Sequence, residues 1–227
     1  MQSDLMVRAT GKETEGLERG APISGIFYAV FATVGIMLLV ISEIDSMPNG
    51  EILSHYAEGG NRTREIVGFF LVAAAALCFL WFMSTLRSRL RPAEAEPKTL
   101  SALVFGAGIA AAGLLVSAAT LFVGTSFALE FSSTFTVDPN LAQFAFITGA
   151  IFLLSSVLVS CVVVAATSVL TLRTGAFPRW LGWFGFAAIF VALVEAALLP
   201  VFAIPIWVLV VSVVLMRNTR AEEIETT

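Results

Sequence analysis

The sequence predicts an all-α fold: a polytopic helical membrane bundle with six transmembrane helices and with the N and C termini in the cytoplasm. Three observations lead to this prediction. The 227-residue chain is 58% hydrophobic and 13% charged, whereas a soluble domain is roughly 45–50% apolar and about 25% charged. The apolar residues are gathered into runs of about 20, the length that crosses a hydrocarbon core about 30 Å thick. Lysine and arginine lie almost entirely on one side of those runs.

These runs divide the chain into three segments. Residues 1–20 and 218–227 are predicted cytoplasmic tails, because they are polar and carry no long apolar run. Residues 21–217 are predicted to form one transmembrane domain. Its six spans are expected at about residues 23–42, 66–86, 100–124, 141–172, 180–199 and 203–216.

Residues that stop or start a helix mark the ends of the earlier spans. After the first span, "SEIDSMPNG" combines acids, a proline and Asn-Gly, which suits a turn. The second span ends in "RSRLRP", where cations favour the negative end of the helix dipole and Pro92 prevents extension. The fourth span begins with Asp138 as its N-cap and Pro139 at the first helical position.

The last two spans are inferred from glycine and proline. Gly175 is the predicted C-cap of the fourth span, and Pro178 is the predicted start of the fifth. The apolar stretch that follows, residues 180–216, is too long for a single span. Pro200 and Pro205 interrupt it, so two short spans joined by a tight hairpin are expected.

The positions of lysine and arginine predict the orientation. With six spans, both termini share a side with the loops at 87–99 and 173–179. That side carries 11 of the 13 cations: Arg8, Lys12, Arg19, Arg87, Arg89, Arg91, Lys98, Arg173, Arg179, Arg217 and Arg220. The opposite side carries Arg62 and Arg64. Because cytoplasmic loops are enriched in lysine and arginine, both ends are predicted to be cytoplasmic.

Small residues are expected at helix contacts, because helices in lipid associate through close packing and hydrogen bonds. The third span carries a face of Gly106, Ala110, Gly113, Ser117, Thr120 and Gly124. The fourth carries a stripe of Thr148, Ser155, Ser156, Ser160 and Thr167. Both are interpreted as packing surfaces, with a hydrophilic pathway as the alternative. Cys78 and Cys161 are interpreted as free thiols, with a disulfide as the alternative.

Glu195 is an acid inside an apolar run, "ALVEAALLP". It shares a face with Gly185, Ala188 and Ala192, so this face is predicted to meet other helices. Counted from Trp180 at the inner interface, Glu195 lies about 22 Å along the helix, near the outer boundary of the hydrocarbon. A carboxylate there loses solvation and is expected to be protonated, hydrated or paired. The nearest cations in the predicted topology are the two outer arginines, so a pair with one of them is expected, with a structural role.

The outer loop completes a predicted polar cluster of Glu195, Arg62, Arg64, Glu43, Asp45 and His55. Within it, "NGEILSHYAEGG" is predicted to form a short helix on the membrane surface, with Ile52, Leu53 and Tyr56 facing down. Glu51, His55 and Glu58 would face up, at a spacing that could hold a metal. A solvated face is the preferred interpretation, because catalytic zinc sites usually take more than one histidine and the chain has 1.

Charge and motifs narrow the possible functions. A net charge of -4 and a pI near 5.0 argue against a nucleic-acid partner, which needs a basic face. The sequence contains no P-loop, G-x-S-x-G or H-E-x-x-H motif, so neither an enzyme nor a cofactor is predicted. A transporter usually has broken helices at matching positions in two halves, and here a proline-broken hairpin occurs in the second half only.

Several stretches carry a resemblance to a known group of proteins. "RTGAFPRWLGWFGFAAIF" and "IPIWVLVVSVVLMR", together with "HYAEGGNRTRE" and "LWFMSTLRSRLR", resemble a family of uncharacterised bacterial six-span membrane proteins. The likeness covers most of residues 21–217. It implies the six-span topology and a bacterial inner-membrane location, and it implies no activity and no catalytic residues.

The leading hypothesis from the sequence is an integral inner-membrane protein without enzymatic activity. It would act through contacts with lipid, a membrane-protein partner or a second copy of itself, with the outer loops at 44–65 and 125–140 as the recognition surface. The alternative is a small-solute or proton-linked permease that uses Glu195 with Arg62 or Arg64.

Overall fold

The computed structural model describes residues 23–42, 44–198 and 202–225, and their regular structure is entirely helical. These residues form seven α-helices: α1 (residues 23–40), α2 (Asn49–Ala57), α3 (Gly59–Leu90), α4 (Thr99–Phe131), α5 (Pro139–Thr174), α6 (Arg179–Leu198) and α7 (Ala203–Glu225). A 3₁₀ turn, Ile44–Ser46, precedes α2. The predicted all-helical fold is therefore confirmed.

Four helical segments in the described part of the chain are long and apolar enough to cross a membrane. They are Ile23–Ser46, Gly59–Leu90, Thr99–Phe131 and Pro139–Thr174. The apolar part of α7, Ala203–Arg217, is shorter, and α6 has 20 residues. Both belong to the last part of the predicted bundle, so the long helices form its first four members.

The predicted signals at the ends of α5 and α6 are confirmed. Asp138 caps α5 by accepting a hydrogen bond from the Asn140 N–H at 2.9 Å, and Pro139 follows as the first helical residue. Gly175 is the C-cap, with φ at 69°. That left-handed conformation costs glycine little, because it has no Cβ. After Pro178, α6 begins at Arg179.

A carboxylate caps α4 at the loop after α3. Glu94 accepts hydrogen bonds from the Leu100 N–H at 2.7 Å and the Ser101 N–H at 2.9 Å, two donors that have no partner inside the helix. Burial raises the pKa of Glu94, but hydrogen bonds from Ser101 and Leu100 and the charge of Lys98 outweigh it, so the pKa is lowered. The cap is therefore fully stabilising above the unfolded-state pKa and is lost as the pH falls through the folded-state pKa.

Neighbouring helices pack antiparallel through close contacts at small residues. The contacts are Gly35–Gly68 between α1 and α3, Met83–Gly108 between α3 and α4, Phe122–Gly149 between α4 and α5, Ser168–Gly185 between α5 and α6, and Gly25–Ser212 between α1 and α7. A hydrogen bond from Ser156 to the Ala111 carbonyl, 2.8 Å long, also joins α5 to α4. The contact between Gly25 and Ser212 packs α7 against α1, and the helices share one hydrophobic core.

This alternation gives the bundle two ends with opposite charge. The connections at 41–58 and 132–138 meet at one end, which we call the cap end. The connections at 91–98 and 175–178 meet at the other, which we call the arginine end. The arginine end carries Arg87, Arg89, Arg91, Lys98, Arg173, Arg179 and Arg217. The cap end carries Arg62 and Arg64 in the first turns of α3.

Helix α7 begins at mid-depth in the bundle. Its first turn, at Ile204 and Pro205, lines a small cavity together with Leu115, the middle residue of α4, and Ser156, near the middle of α5. From there α7 runs toward the arginine end. Pro205 was expected to bound a hairpin; it is the third residue of α7, where its missing N–H breaks no helical bond. Pro200 lies outside the described residues.

The small-residue face predicted to make contacts on the third span points away from the bundle, so that prediction is wrong. A Cβ on Gly106, Gly113 or Gly124 would meet nothing within 4 Å. Helix α4 packs instead through the opposite face, where Leu115 and Phe122 are buried. The buried face also carries small residues, Gly108, Ala111, Ala112, Ala118 and Ala119, so both faces have small residues at helical spacing and that pattern alone did not identify the contact face.

The other predicted contact surfaces have mixed outcomes. On α5, the hydroxyls of Thr148 and Ser155 bond to carbonyls of their own helix, whereas Ser156, Ser160 and Thr167 are buried. On α6, Gly185, Ala188 and Ala192 are buried, which confirms the predicted inward face. Cys78 and Cys161 are free.

Candidate functional site

The cap end is built around helix α2. Pro48 precedes it, and Ile52 and Tyr56 turn one face onto the bundle. They are 0% and 2% exposed, so the predicted short helix is present and packs its apolar face on the bundle. Leu53, which was also expected to face down, is 47% exposed instead. The short helix thus covers the cap end with one apolar face, and its opposite face is exposed.

A buried carboxylate lies at the centre of the cap end. Glu65, on the second turn of α3, is 1% exposed. Its Oε1 is 2.9 Å from Nε2 of His55 on α2. Its Oε2 accepts a hydrogen bond of 2.6 Å from the hydroxyl of Ser126 on α4. One carboxylate therefore holds three helices together, and we call Glu65, His55 and Ser126 the cap triad.

The order of contacts in the cap triad decides what it can do chemically. In a serine nucleophile triad, the imidazole contacts the hydroxyl and removes its proton. Here the Ser126 hydroxyl bonds directly to Glu65, and the imidazole bonds to the other oxygen of the same carboxylate. The His55 imidazole therefore contacts Glu65 and not the Ser126 hydroxyl, and all three side chains are buried. The arrangement satisfies a buried acid and does not activate a nucleophile.

Tyr56 is the next titratable group in the cap end. Burial raises the pKa of its hydroxyl, the negative charge of Glu65 raises it further, and a hydrogen bond with Thr125 lowers it by less. The phenol therefore stays neutral at physiological pH. Its ring lies edge-on to His55, with the centroids 5.1 Å apart. This ring contact packs Tyr56 against the imidazole of the cap triad.

The two arginines of the cap end point in different directions. Arg64 donates from Nη2 to the Ser42 hydroxyl at 2.6 Å, which joins α3 to the end of α1. Arg62 donates to the Tyr56 carbonyl at 2.7 Å, and its Nε lies 3.9 Å from Oε2 of Glu130. Each arginine thus ties a different neighbour to the start of α3.

The remaining members of the predicted cluster do not converge on one site. Asp45 is exposed on the 3₁₀ turn, and Glu43 lies outside the described residues. The predicted upward face of Glu51, His55 and Glu58 is wrong at its middle member, because His55 faces the bundle while the two acids are exposed. Among the described residues no group of three metal-binding side chains occurs. Helical spacing placed the three together, but the hydrogen bond to Glu65 turned the imidazole inward.

Glu195 has a different partner from the one predicted. Its Oε2 accepts a hydrogen bond of 2.9 Å from the N–H of Ala203, the first residue of α7. Among the described residues no ion pair joins it to Arg62 or Arg64, which lie on α3 with the partners given above. The expected pair is therefore not formed. An acid in an apolar run serves here to cap a helix that starts inside the bundle.

The Glu195 carboxylate satisfies a backbone N–H at the start of α7. The first four N–H groups of a helix have no partner within it, and such groups are costly at membrane depth. In α7, Ala203 bonds to Glu195 and Ile206 bonds to the Phe202 carbonyl at 3.0 Å. Pro205 has no N–H. The bond of Ile206 is the first regular helical bond, so among the N-terminal donors before it the carboxylate satisfies that of Ala203 and Pro205 has none to satisfy.

Glu65 and Ser126 are the residues of the site that sequence reasoning missed. Glu65 was not singled out within the predicted polar cluster. A usable signal was its spacing from Gly68, Val72 and Ala75, which places it on the buried face of α3. Ser126 had no comparable signal, because α4 carries hydroxyls on several faces. Comparison with protein-family models, curated proteins and solved structures finds no match, so the functional argument depends on the geometry of the site.

Proposed function

We propose that the chain is an integral protein of the bacterial inner membrane, without enzymatic activity, and that it binds a protein partner through its cap end. The observation that carries the proposal is the cap triad. It anchors α2 to α3 and α4 with no reacting group left free. Gln143 of α5 also donates to the Met47 carbonyl at 3.1 Å, so the connection before α2 is held to α5 as well. A rigid surface of this kind suits recognition, because little flexibility is lost on binding.

The charge of the cap end favours a protein partner over lipid headgroups. Its described exposed acids are Asp45, Glu51, Glu58, Glu130 and Asp138, against two arginines. Anionic headgroups would be repelled by this surface. Exposed Leu53 and Phe131, which are 47% and 79% exposed, add apolar area beside the acids. A partner segment with basic and apolar residues complements both features.

Photo-crosslinking in native membranes tests this proposal. A photoreactive residue at Leu53 on the cap surface is expected to give a discrete protein adduct that weakens when Glu51 and Glu58 are changed to lysine. The matched control is Leu77, which is 70% exposed in the middle of α3. It should give lipid adducts only. Lipid adducts at both positions, or a Leu53 adduct indifferent to charge reversal, would contradict partner binding through the cap.

The proposed topology places the arginine end in the cytoplasm, as the distribution of cations indicates. Helices α1, α3, α4 and α5 cross the bilayer. The pair α6–α7 enters from the cytoplasm and turns at mid-depth, because α7 starts beside the middle of α4 and α5. The six crossings predicted from the sequence differ from this proposal at that pair only. Both arrangements leave the two termini on the cytoplasmic side.

Cysteine accessibility separates the two topologies. In a chain without Cys78 and Cys161, Ser133→Cys is expected to react with a membrane-impermeant maleimide in spheroplasts, and Ala95→Cys only after lysis. Phe202→Cys, next to the start of α7, should stay unlabelled from outside. Labelling of Phe202→Cys as fast as Ser133→Cys would restore the count of six.

A further inference from the structure

The turn between α5 and α6 carries two arginines without a neighbouring acid. Arg173, in the last turn of α5, and Arg179, the first residue of α6, are both exposed. Among the described residues neither guanidinium has a hydrogen bond or an ion pair. The sequence from residue 139 to residue 194 contains no aspartate or glutamate. Positive charge therefore accumulates at this turn without a compensating acid in the surrounding sequence.

The other connection at the arginine end differs in this respect. There Lys98 pairs with Glu96 at 2.9 Å, and Glu94 caps α4. The Arg87 guanidinium lies over the Phe105 ring, 4.9 Å from its centroid. Part of the charge of that connection is thus used within the protein, whereas both arginines of the α5–α6 turn remain available to an external anion.

Packing holds the two arginines on adjacent helix ends. Phe177, within the turn, is 4% exposed and belongs to the hydrophobic core. A Cβ on Gly182 would lie 3.2 Å from the Ser168 carbonyl oxygen, so α6 packs directly on the backbone of α5. This close packing brings the ends that carry Arg173 and Arg179 side by side.

An exposed aromatic column continues from Arg179 along α6. Trp183, Phe186 and Phe190 follow it at helical spacing, which places them on the same face as the arginine. The three rings are 68%, 36% and 70% exposed, and the centroids of Trp183 and Phe186 are 6.3 Å apart. At 1.5 Å per residue the column extends about 16 Å from the arginine. One face of α6 thus joins a cation at its start to an apolar track farther along the helix.

The chemistry of this face restricts its occupant. Guanidinium groups bind phosphate through charge-assisted hydrogen bonds, and tryptophan is enriched where lipid headgroups meet the hydrocarbon. A soluble anion would use the arginines and leave the aromatic column uncovered. A zwitterionic lipid would cover the column but bring a cation of its own to the arginines. A phospholipid with a net negative headgroup complements both parts.

We propose that the α5–α6 turn and the aromatic column form a binding site for an anionic phospholipid. Its phosphate contacts Arg173 and Arg179, and one acyl chain lies along the rings of Trp183, Phe186 and Phe190. In the proposed orientation the turn lies at the cytoplasmic leaflet, whose surface potential is negative because of anionic lipids. The site is separate from the cap end and does not depend on the partner proposed there.

Tryptophan quenching by brominated lipids tests the proposal. In a Trp81→Phe chain the remaining exposed indoles are Trp180 and Trp183, since Trp207 is 1% exposed. The chain is reconstituted in phosphatidylcholine vesicles that contain a small fraction of brominated phosphatidylglycerol or brominated phosphatidylcholine. The phosphatidylglycerol is expected to bind about 25-fold more tightly, because each of two cations near the headgroup contributes roughly a factor of five.

Arg173→Gln combined with Arg179→Gln is the diagnostic variant. Because both arginines are exposed, unfolding in detergent should stay close to wild type. Each single change should reduce the preference for phosphatidylglycerol about fivefold, and the double variant should lose it. Arg91→Gln is the matched control, since Arg91 is an exposed cation of the other connection, and it should leave the preference unchanged.

Four results would overturn the proposal. Equal quenching by the two lipids would reduce the contact to an unspecific lipid annulus. A preference that survives the double variant would place the headgroup elsewhere. Displacement of brominated phosphatidylglycerol by inorganic phosphate would mean that a soluble anion uses the arginines. Disulfide-linked dimers of Phe190→Cys, in a chain without Cys78 and Cys161, would mean that a second copy covers the aromatic column.

Discussion

Glu65→Ala is expected to lower the free energy of unfolding by about 2–6 kcal/mol, because each of two buried groups left without its acceptor costs about 1–3 kcal/mol. The carboxylate is 1% exposed and holds His55 of α2 and Ser126 of α4. Its removal leaves an imidazole and a hydroxyl buried without their acceptor. Helix α2 should then detach from the bundle, which unfolding in detergent and hydrogen exchange over Asn49–Ala57 would measure.

Glu51→Ala is the matched control for this variant. Glu51 is an acid on the same cap surface, but it is exposed, and exposed carboxylates contribute little to stability. Its loss should leave unfolding and exchange close to wild type. Glu65→Gln keeps one acceptor and should fall between the two. Equal stability of Glu65→Ala and Glu51→Ala would remove the cap triad as the anchor of α2, and with it the rigid surface on which the proposed function depends.

Gly35→Ala is expected to destabilise the bundle by about 1–3 kcal/mol, the usual cost of overpacking. A Cβ on Gly35 would lie 2.9 Å from the Gly68 carbonyl oxygen and 2.8 Å from Cγ2 of Val72. The contact is reciprocal, because a Cβ on Gly68 would lie 3.0 Å from the Gly35 carbonyl oxygen. Backbone atoms cannot rotate away as a side chain can, so α1 and α3 would have to separate.

Gly113→Ala provides a control with the opposite sign. Gly113 is helical and has open space around its Cβ position. Alanine there adds no clash and gains helix propensity, worth about 0.5–1 kcal/mol in an exposed helix. Thermal unfolding of both variants in one detergent decides the matter. The same sign at Gly35 and Gly113 would mean that close backbone packing does not hold α1 on α3.

The limits of α5 and the start of α6 were readable from the sequence, because they are set by local chemistry, whereas α3 begins at Gly59 and α4 ends at Phe131, outside the predicted spans of about 66–86 and 100–124. Asp138 and Pro139 start α5, Gly175 ends it, and Pro178 precedes α6, as predicted. Each signal depends on the φ angle or on the N–H of one residue and needs no distant partner. The short helix of the outer loop was predicted from a different local signal, the helical spacing of apolar residues at Ile52 and Tyr56.

Which side of each helix contacts its neighbours was less predictable. Period and residue size placed Gly185 and Ala192 of α6 inward correctly, yet the same reasoning turned the α4 glycines the wrong way. A helix presents several faces with a regular spacing. Which one meets a neighbour depends on the shapes of both helices, and a single sequence contains no record of that match.

The sequence by itself determined the helical class, the ends of α5, the start of α6 and the separation of cations toward one end, since these follow from composition and from contacts only a few residues apart. The tertiary structure alone decided the partners of the polar groups. In that structure Glu195 accepts a hydrogen bond from the Ala203 N–H, and Ser126 donates one to Glu65, 61 positions away in the chain. A buried polar group takes whichever donor or acceptor packing places within about 3 Å, and that neighbour is set by how whole helices dock.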